Sequence, residues 1–138
     1  MRKVPERLGR LVTKRAAGRC EYCRLAQEGQ EATFHIDHII PRSADGPTTS
    51  DNLALACVSC SLRKEARRSA IDPLSGRRVP LFHPRRQQWS DHFRWDGTTV
   101  TPLTATGRAT VAALQMNRPL ILAIRAEEHH RGRHPPPG

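Results

Sequence analysis

Aromatic residues are scarce in this chain: three Phe, two Trp and one Tyr make up 4% of its 138 residues. With 37% hydrophobic residues in all, the core must be thin, and cores of that kind are commonly stapled by a metal or a disulfide. Long apolar runs are missing as well. PLILAI at 119–124, for one, is far short of the ~20 residues of a membrane span, so no membrane association is expected. The amino terminus, MRKVPERLGR, lacks the apolar stretch of a secretory signal, so a reducing, cytoplasmic location is the expectation. Acidic residues are few: 13 Asp and Glu stand against 23 Lys and Arg, for a formal charge of +10. The excess is spread evenly, with 13 basic against 8 acidic residues in 1–70 and 10 against 5 in 71–138. Such a balance favours a polyanionic partner, because Lys and Arg neutralise phosphates and release counterions.

What is present falls into two stretches, with a division expected between residues 1–70 and 71–138. Residues 5–18 place Leu8, Leu11, Val12 and Ala16 at helical spacing, with Pro5 suited to the first turn and Gly18 to the stop. ATFHIDHII at 32–40 predicts a strand, residues 41–50 a loop, NLALAC at 52–57 a second strand, and residues 59–70 a helix. In the second stretch, DPLSG at 72–76 signals a turn, and FRWDGTTVTPL at 93–103 a hairpin about Asp96-Gly97. Helices are predicted at 106–116 and 118–130, and GRHPPPG as a frayed tail. Residues 82–96 interleave aromatics with basic residues. Such a run is either a stacking platform for nucleic acid or, more commonly, packing.

Four cysteines form two pairs, Cys20-x-x-Cys23 and Cys57-x-x-Cys60, separated by 33 residues. Each tight turn can present two thiolates, and two turns complete a closed tetrahedron about a structural zinc. Redox or disulfide pairing competes with this reading, but a reducing compartment favours metal. Between the pairs, Asp37 is a hard oxygen donor of the kind that suits magnesium or manganese. His38 has the ordinary pKa of a base near neutrality. Adjacent strand residues point to opposite sides, so joint service requires a bulge or a metal beside the strand end. Asn52 can bond backbone and imidazole together, closing the loop and orienting His38. His35 lies on the strand face of Asp37, in a structural or a phosphate-contacting role.

The run from Cys20 to about Arg68 resembles the HNH endonuclease family, in its zinc-stapled branch with four cysteines. The resemblance rests on Asp37-His38-Ile39-Ile40-Pro41, a Gly-containing loop, Asp51-Asn52-Leu53, and CVSC leading into Ser61–Lys64. It implies an α+β fold: a ββα-metal core with an amino-terminal helix and a carboxy-terminal hairpin-plus-helices extension. It further implies metal-dependent hydrolysis of DNA, most naturally double-stranded, leaving 5′-phosphate and 3′-hydroxyl ends. His38 then corresponds to the general base, Asp37 to the first ligand of a catalytic Mg2+ or Mn2+, and Asn52 to the family's middle Asn. Where the family places Asn or His as second ligand, this chain has Ser61, a weaker donor. Glu65, one helical turn on, is a candidate to assist it. Arg42, Arg63, Lys64, Arg67 and Arg68 are candidate phosphate contacts. The departure at Ser61 leaves open a non-catalytic zinc-binding module for nucleic acid. A protein-interaction adaptor would leave Asp37, His38 and Asn52 without a purpose.

Overall fold

A computed structural model describes residues 4–137. Residues 1–3 and Gly138, which carry part of the basic amino terminus and of the expected tail, lie outside the described residues. The fold is α+β, with five helices and three two-stranded antiparallel sheets among the described residues. The chain divides into two compact units. One comprises Met1–Arg68 with His83–Arg86, the other Ser69–Phe82 with Gln87–Gly138.

The first unit begins with helix α1, Glu6–Arg15, whose N-cap is Pro5. The helix buries Val12, while Leu11, expected on the apolar face, is exposed. Ala17 and Gly18 follow at φ 53° and 68°, a left-handed exit that glycine takes without strain. Strands β1 (His35–His38) and β2 (Leu53–Ala56) pair in the register His35–Ala56 to His38–Leu53. Both are shorter than expected. Beyond His38 the ladder continues through Asn52 instead of a strand: the Ile39 N–H donates to the Asn52 main-chain oxygen at 2.9 Å, and the Ile40 N–H to Asn52 Oδ1 at 2.8 Å. Pro41, with no N–H to donate, ends the run. β2 is buried along its length, and α1 packs on it.

Helix α2 spans Val58–Lys64, not 59–70. Glu65 stops it in a backbone conformation of φ 51°, ψ −127°. Residues expected to extend the helix instead enter the second unit as strand β3 (Ser69–Ile71), paired with β4 (Arg78–Pro80) about the 72–76 turn. Buried Asp72 holds that turn. It accepts the Leu74 N–H at 3.0 Å and the Ser75 hydroxyl at 2.7 Å, and takes Arg108 in a two-pronged ion pair at 2.8 and 2.9 Å.

After the short helix α3 (Trp89–His92), β5 (Phe93–Asp96) and β6 (Thr99–Pro102) form the hairpin expected about Asp96-Gly97. Helices α4 (Ala105–Leu114) and α5 (Pro119–His130) complete the unit. Thr104 caps α4 by accepting the Gly107 N–H at 3.0 Å. The aromatics are packing: Trp89 lies 5.0 Å from Phe93 and 5.2 Å from Trp95 between ring centroids. Nor is the tail merely frayed. His134 is buried, stands edge-on to Trp95 and bonds the Gly97 oxygen at 2.8 Å.

Candidate nuclease site and zinc centre

All four cysteines are buried free thiols, and their sulfurs lie within 4.8 Å of one another. The local geometry comes from the two turns. The Cys23 N–H donates to Cys20 Sγ, and the Cys60 N–H to Cys57 Sγ, each at 3.4 Å. Cys57 is at once the N-cap of α2, so the helix start and the metal knuckle are the same turn. Tetrahedral zinc with Zn–S bonds of about 2.3 Å requires sulfurs about 3.8 Å apart. Cys23 Sγ and Cys57 Sγ, from different pairs, stand 3.7 Å apart. The donor set therefore fits zinc with little rearrangement. Hydrogen bonds from the neighbouring thiols hold Cys57 far below the usual thiol range, while the same cluster pushes Cys23 and Cys60 up.

Glu21, inside the first knuckle, sews the knuckle to β2. Its main-chain N–H donates to the Leu55 oxygen, and its carboxylate accepts the Leu55 N–H, both at 2.8 Å. Arg85 pairs with the same carboxylate, which removes this arginine from any phosphate platform in 82–96.

Alternation along β1 separates the two central residues. Asp37 faces α2: its Oδ2 lies 3.1 Å from Lys64 Nζ and accepts the Tyr22 hydroxyl at 3.3 Å. Burial pushes the Asp37 carboxyl up, with Lys64 and Tyr22 opposing. His38 closes the strand with no bulge in the register and faces the loop, where its Nε2 is 2.9 Å from Thr48 Oγ1. Arg42 Nε donates to the same nitrogen at 3.3 Å, which makes Nε2 the unprotonated one. Burial first, then the Arg42 charge, pushes the imidazole below the ordinary histidine value despite Asp37 nearby. The Nε2 lone pair is thus engaged by Arg42, and a water to be deprotonated there has to take the place of that bond.

The Asn52 amide spends its bonds on backbone. Besides Ile40 N–H, it donates to the Ile40 oxygen at 3.0 Å and the Pro47 oxygen at 2.9 Å. It closes the loop as expected, but these bonds leave Thr48 and Arg42, not Asn52, to orient the His38 imidazole. Arg15 holds the same loop from α1, donating to the Ser50 and Leu53 oxygens, both at 2.6 Å. Gly46 lets the loop fold tightly on itself: a Cβ there would stand 1.7 Å from the Ile40 oxygen.

Two further residues sit differently from expectation. Lys64 is 2% exposed, paired with Asp37 and donating to the His38 main-chain oxygen at 3.1 Å, so it is an internal tie and not a phosphate contact. Glu65 is exposed where α2 breaks off, so the helical face that would have set it over Ser61 is not continued. Among the described residues, the four-cysteine cluster is the only group of three or more His, Cys, Asp or Glu side chains placed to hold a metal. Ser61 instead meets His35, with Oγ 2.8 Å from Nδ1. Arg42, Arg67 and Arg68 are exposed and Arg63 half-buried, its Nε donating to Ser59 Oγ at 3.2 Å. Sequence reasoning missed Tyr22, Thr48, Arg15 and the Glu21–Arg85 pair. Of these, Glu21 and Tyr22 carried a signal, since both are set inside a cysteine pair.

Residues 20–67, the segment that carries the cysteine cluster and the ββα core, match the family model for HNH endonuclease. No curated protein and no solved structure matches the chain. The match is to a family of nucleases, and it supports a nuclease-type function in general terms. No helix among the described residues is long and apolar enough to cross a membrane.

Proposed function

We propose that this protein is a metal-dependent endonuclease of double-stranded DNA, built on a structural zinc and working in a reducing, cytoplasmic compartment. The observation that carries the reading is His38, whose Nε2 accepts from Arg42 Nε at 3.3 Å and stands 2.9 Å from Thr48 Oγ1, an unprotonated ring nitrogen held at the loop. In that state it takes a proton from water as the water oxygen bonds to phosphorus and the bond from phosphorus to the 3′ oxygen breaks. The products carry 5′-phosphate and 3′-hydroxyl ends. Arg42, exposed beside the base, is suited to hold the phosphate under attack, with Arg63, Arg67 and Arg68 as sequence-independent backbone contacts.

Asp37 and Ser61 would hold Mg2+ or Mn2+, which supplies positive charge against the negative charge growing on the phosphate and leaving oxygen. Lys64 and Tyr22 engage Asp37 through Oδ2, and in doing so fix the carboxylate's orientation. Glu65 has no part in this reading.

The test is supercoiled plasmid with Mg2+ or Mn2+ and with chelator. Nicked or linear product is expected with metal only, and His38→Ala should lower the rate about 10²–10⁴-fold with DNA affinity little changed. Near-normal cleavage by His38→Ala would remove the assignment. One observation favours a second reading, a non-catalytic module for nucleic acid: Asp37 is already neutralised by buried Lys64. Tight, salt-dependent DNA binding with no cleavage at any metal concentration would select it.

A further inference from the structure

Strand β1 and helix α2 meet along two rungs. His35 and Asp37, two residues apart, share a strand face. Ser61 and Lys64, three apart, share a helix face. One rung joins Asp37 Oδ2 to Lys64 Nζ at 3.1 Å, the other His35 Nδ1 to Ser61 Oγ at 2.8 Å. Ser61 thus stands one rung along from the Asp37 carboxylate, and it is the weakest donor of the proposed cation site. A hydroxyl carries one proton and two lone pairs, and it serves a hard cation only when its proton is directed elsewhere. An Asn carbonyl has no proton to place. The hydroxyl needs an acceptor, and His35 is the one within reach.

We propose that His35 is a positioning residue for the catalytic cation, its Nδ1 accepting a hydrogen bond from the Ser61 hydroxyl so that the Ser61 oxygen turns its lone pairs toward the metal beside Asp37. The inference rests on the nuclease reading above. It requires the His35 tautomer with hydrogen on Nε2, which solvent can satisfy because His35 is exposed. The hydrogen bond also polarises the hydroxyl and enriches its oxygen. His35 and Ser61 then behave as one ligand, and replacing serine by asparagine makes the imidazole dispensable.

The test is Mn2+ binding to the full zinc-loaded chain, followed by electron paramagnetic resonance, beside plasmid cleavage titrated with Mg2+. His35→Ala should weaken Mn2+ binding about 10–100-fold, the usual cost of losing a group that orients a ligand. Ser61→Ala should cost a similar factor, and the double variant no more than either alone. In a Ser61→Asn background, His35→Ala should leave Mn2+ affinity and the Mg2+ requirement unchanged. Wild-type Mn2+ affinity in His35→Ala overturns the proposal, as does an equal loss in the Ser61→Asn background, which would make His35 act independently of residue 61. If wild type cuts DNA and binds Mn2+ while His35 proves indifferent, this inference fails alone. If wild type neither binds Mn2+ nor cuts, the nuclease reading fails and takes this one with it.

Discussion

The two units of this chain solve the same shortage of apolar surface in different ways. In the first, aliphatic side chains, Tyr22, Phe34 and the four thiols are buried, and polar groups add fastening: Asn52, Arg15 and Glu21 each tie their own stretch of backbone. In the second, four of the six Phe, Tyr and Trp rings are gathered, with Phe82, Phe93, Trp89 and Trp95 in edge or tilted contact. Its buried charges are matched, Asp72 by Arg108, while Arg125 lies 5.1 Å over the Trp95 ring and donates to the Thr98 oxygen at 2.8 Å. The first unit therefore adds a cysteine cluster fit for zinc to its buried side chains, and the second adds a cluster of aromatic rings. The proposed site, with its base, ligand and arginines, benefits from such directional bonds, which fix atoms where contact area does not.

The difference can be read optically, since the one tyrosine, Tyr22, lies in the first unit and both tryptophans in the second. The largest effect should come from zinc. Chelation, or Cys57→Ser, removes a contribution that in zinc-finger peptides amounts to about 10–16 kcal/mol. The near-ultraviolet signal of Tyr22 should collapse while tryptophan fluorescence stays native-like, with one zinc per chain in the untreated protein. Simultaneous loss of both signals would show that the units do not stand apart energetically.

The converse experiment is Phe93→Ala. Phe93 is 1% exposed amid the ring cluster, and truncation there should cost about 3–5 kcal/mol. Tryptophan emission should shift and its thermal transition fall, with zinc content and Tyr22 signal retained. Next comes Asn52→Ala, which strands the backbone groups of Ile40 and Pro47 at about 1–3 kcal/mol for a buried group left unpaired. It should abolish cleavage through loop disorder while the tryptophan transition holds.

The smallest effect is one of pH. Arg108, the Ser75 hydroxyl and the Leu74 N–H hold the Asp72 carboxyl well below the usual carboxylate range. Its native pKa is depressed, so its contribution is complete above the unfolded value of about 3.9 and is lost as pH falls through the native one. The tryptophan-reported transition should weaken below about pH 4, and Asp72→Asn should be less stable at neutrality but flatter across that window. An unchanged acid slope in Asp72→Asn would locate the sensitivity elsewhere.

Much of the first unit could be read before any coordinates. Cysteine spacing is a local property of two tight turns, so the pairs 20/23 and 57/60 announce a metal cluster by themselves. Asp37-His38, the break at Pro41 and Asn52 likewise sit within short stretches whose backbone preferences are strong. The hairpin at 93–102 follows from Asp96-Gly97 for the same reason. The end of α2 was not legible. Residues 59–70 have ordinary helical composition, yet Glu65 adopts a positive φ and the chain leaves to pair Ser69–Ile71 with Arg78–Pro80.

The primary structure alone settled which chemistry is present: four thiolates at zinc spacing, a carboxylate and an imidazole side by side, and an excess of positive charge. Partnership was left to the tertiary structure. Lys64 looks like a surface cation in a basic run, and only the packing of α2 on β1 turns it inward to Asp37. Arg85 looks the same, and it ends on Glu21. Thr48 is one polar residue among several in its loop until closure brings it to His38. Ser61 reads as a defect until the fold sets His35 beside it. The reason is common to all four. A residue's type and its near neighbours fix what it can donate or accept, whereas the partner that takes the bond is decided by contacts between segments 10 to 64 residues apart in the chain.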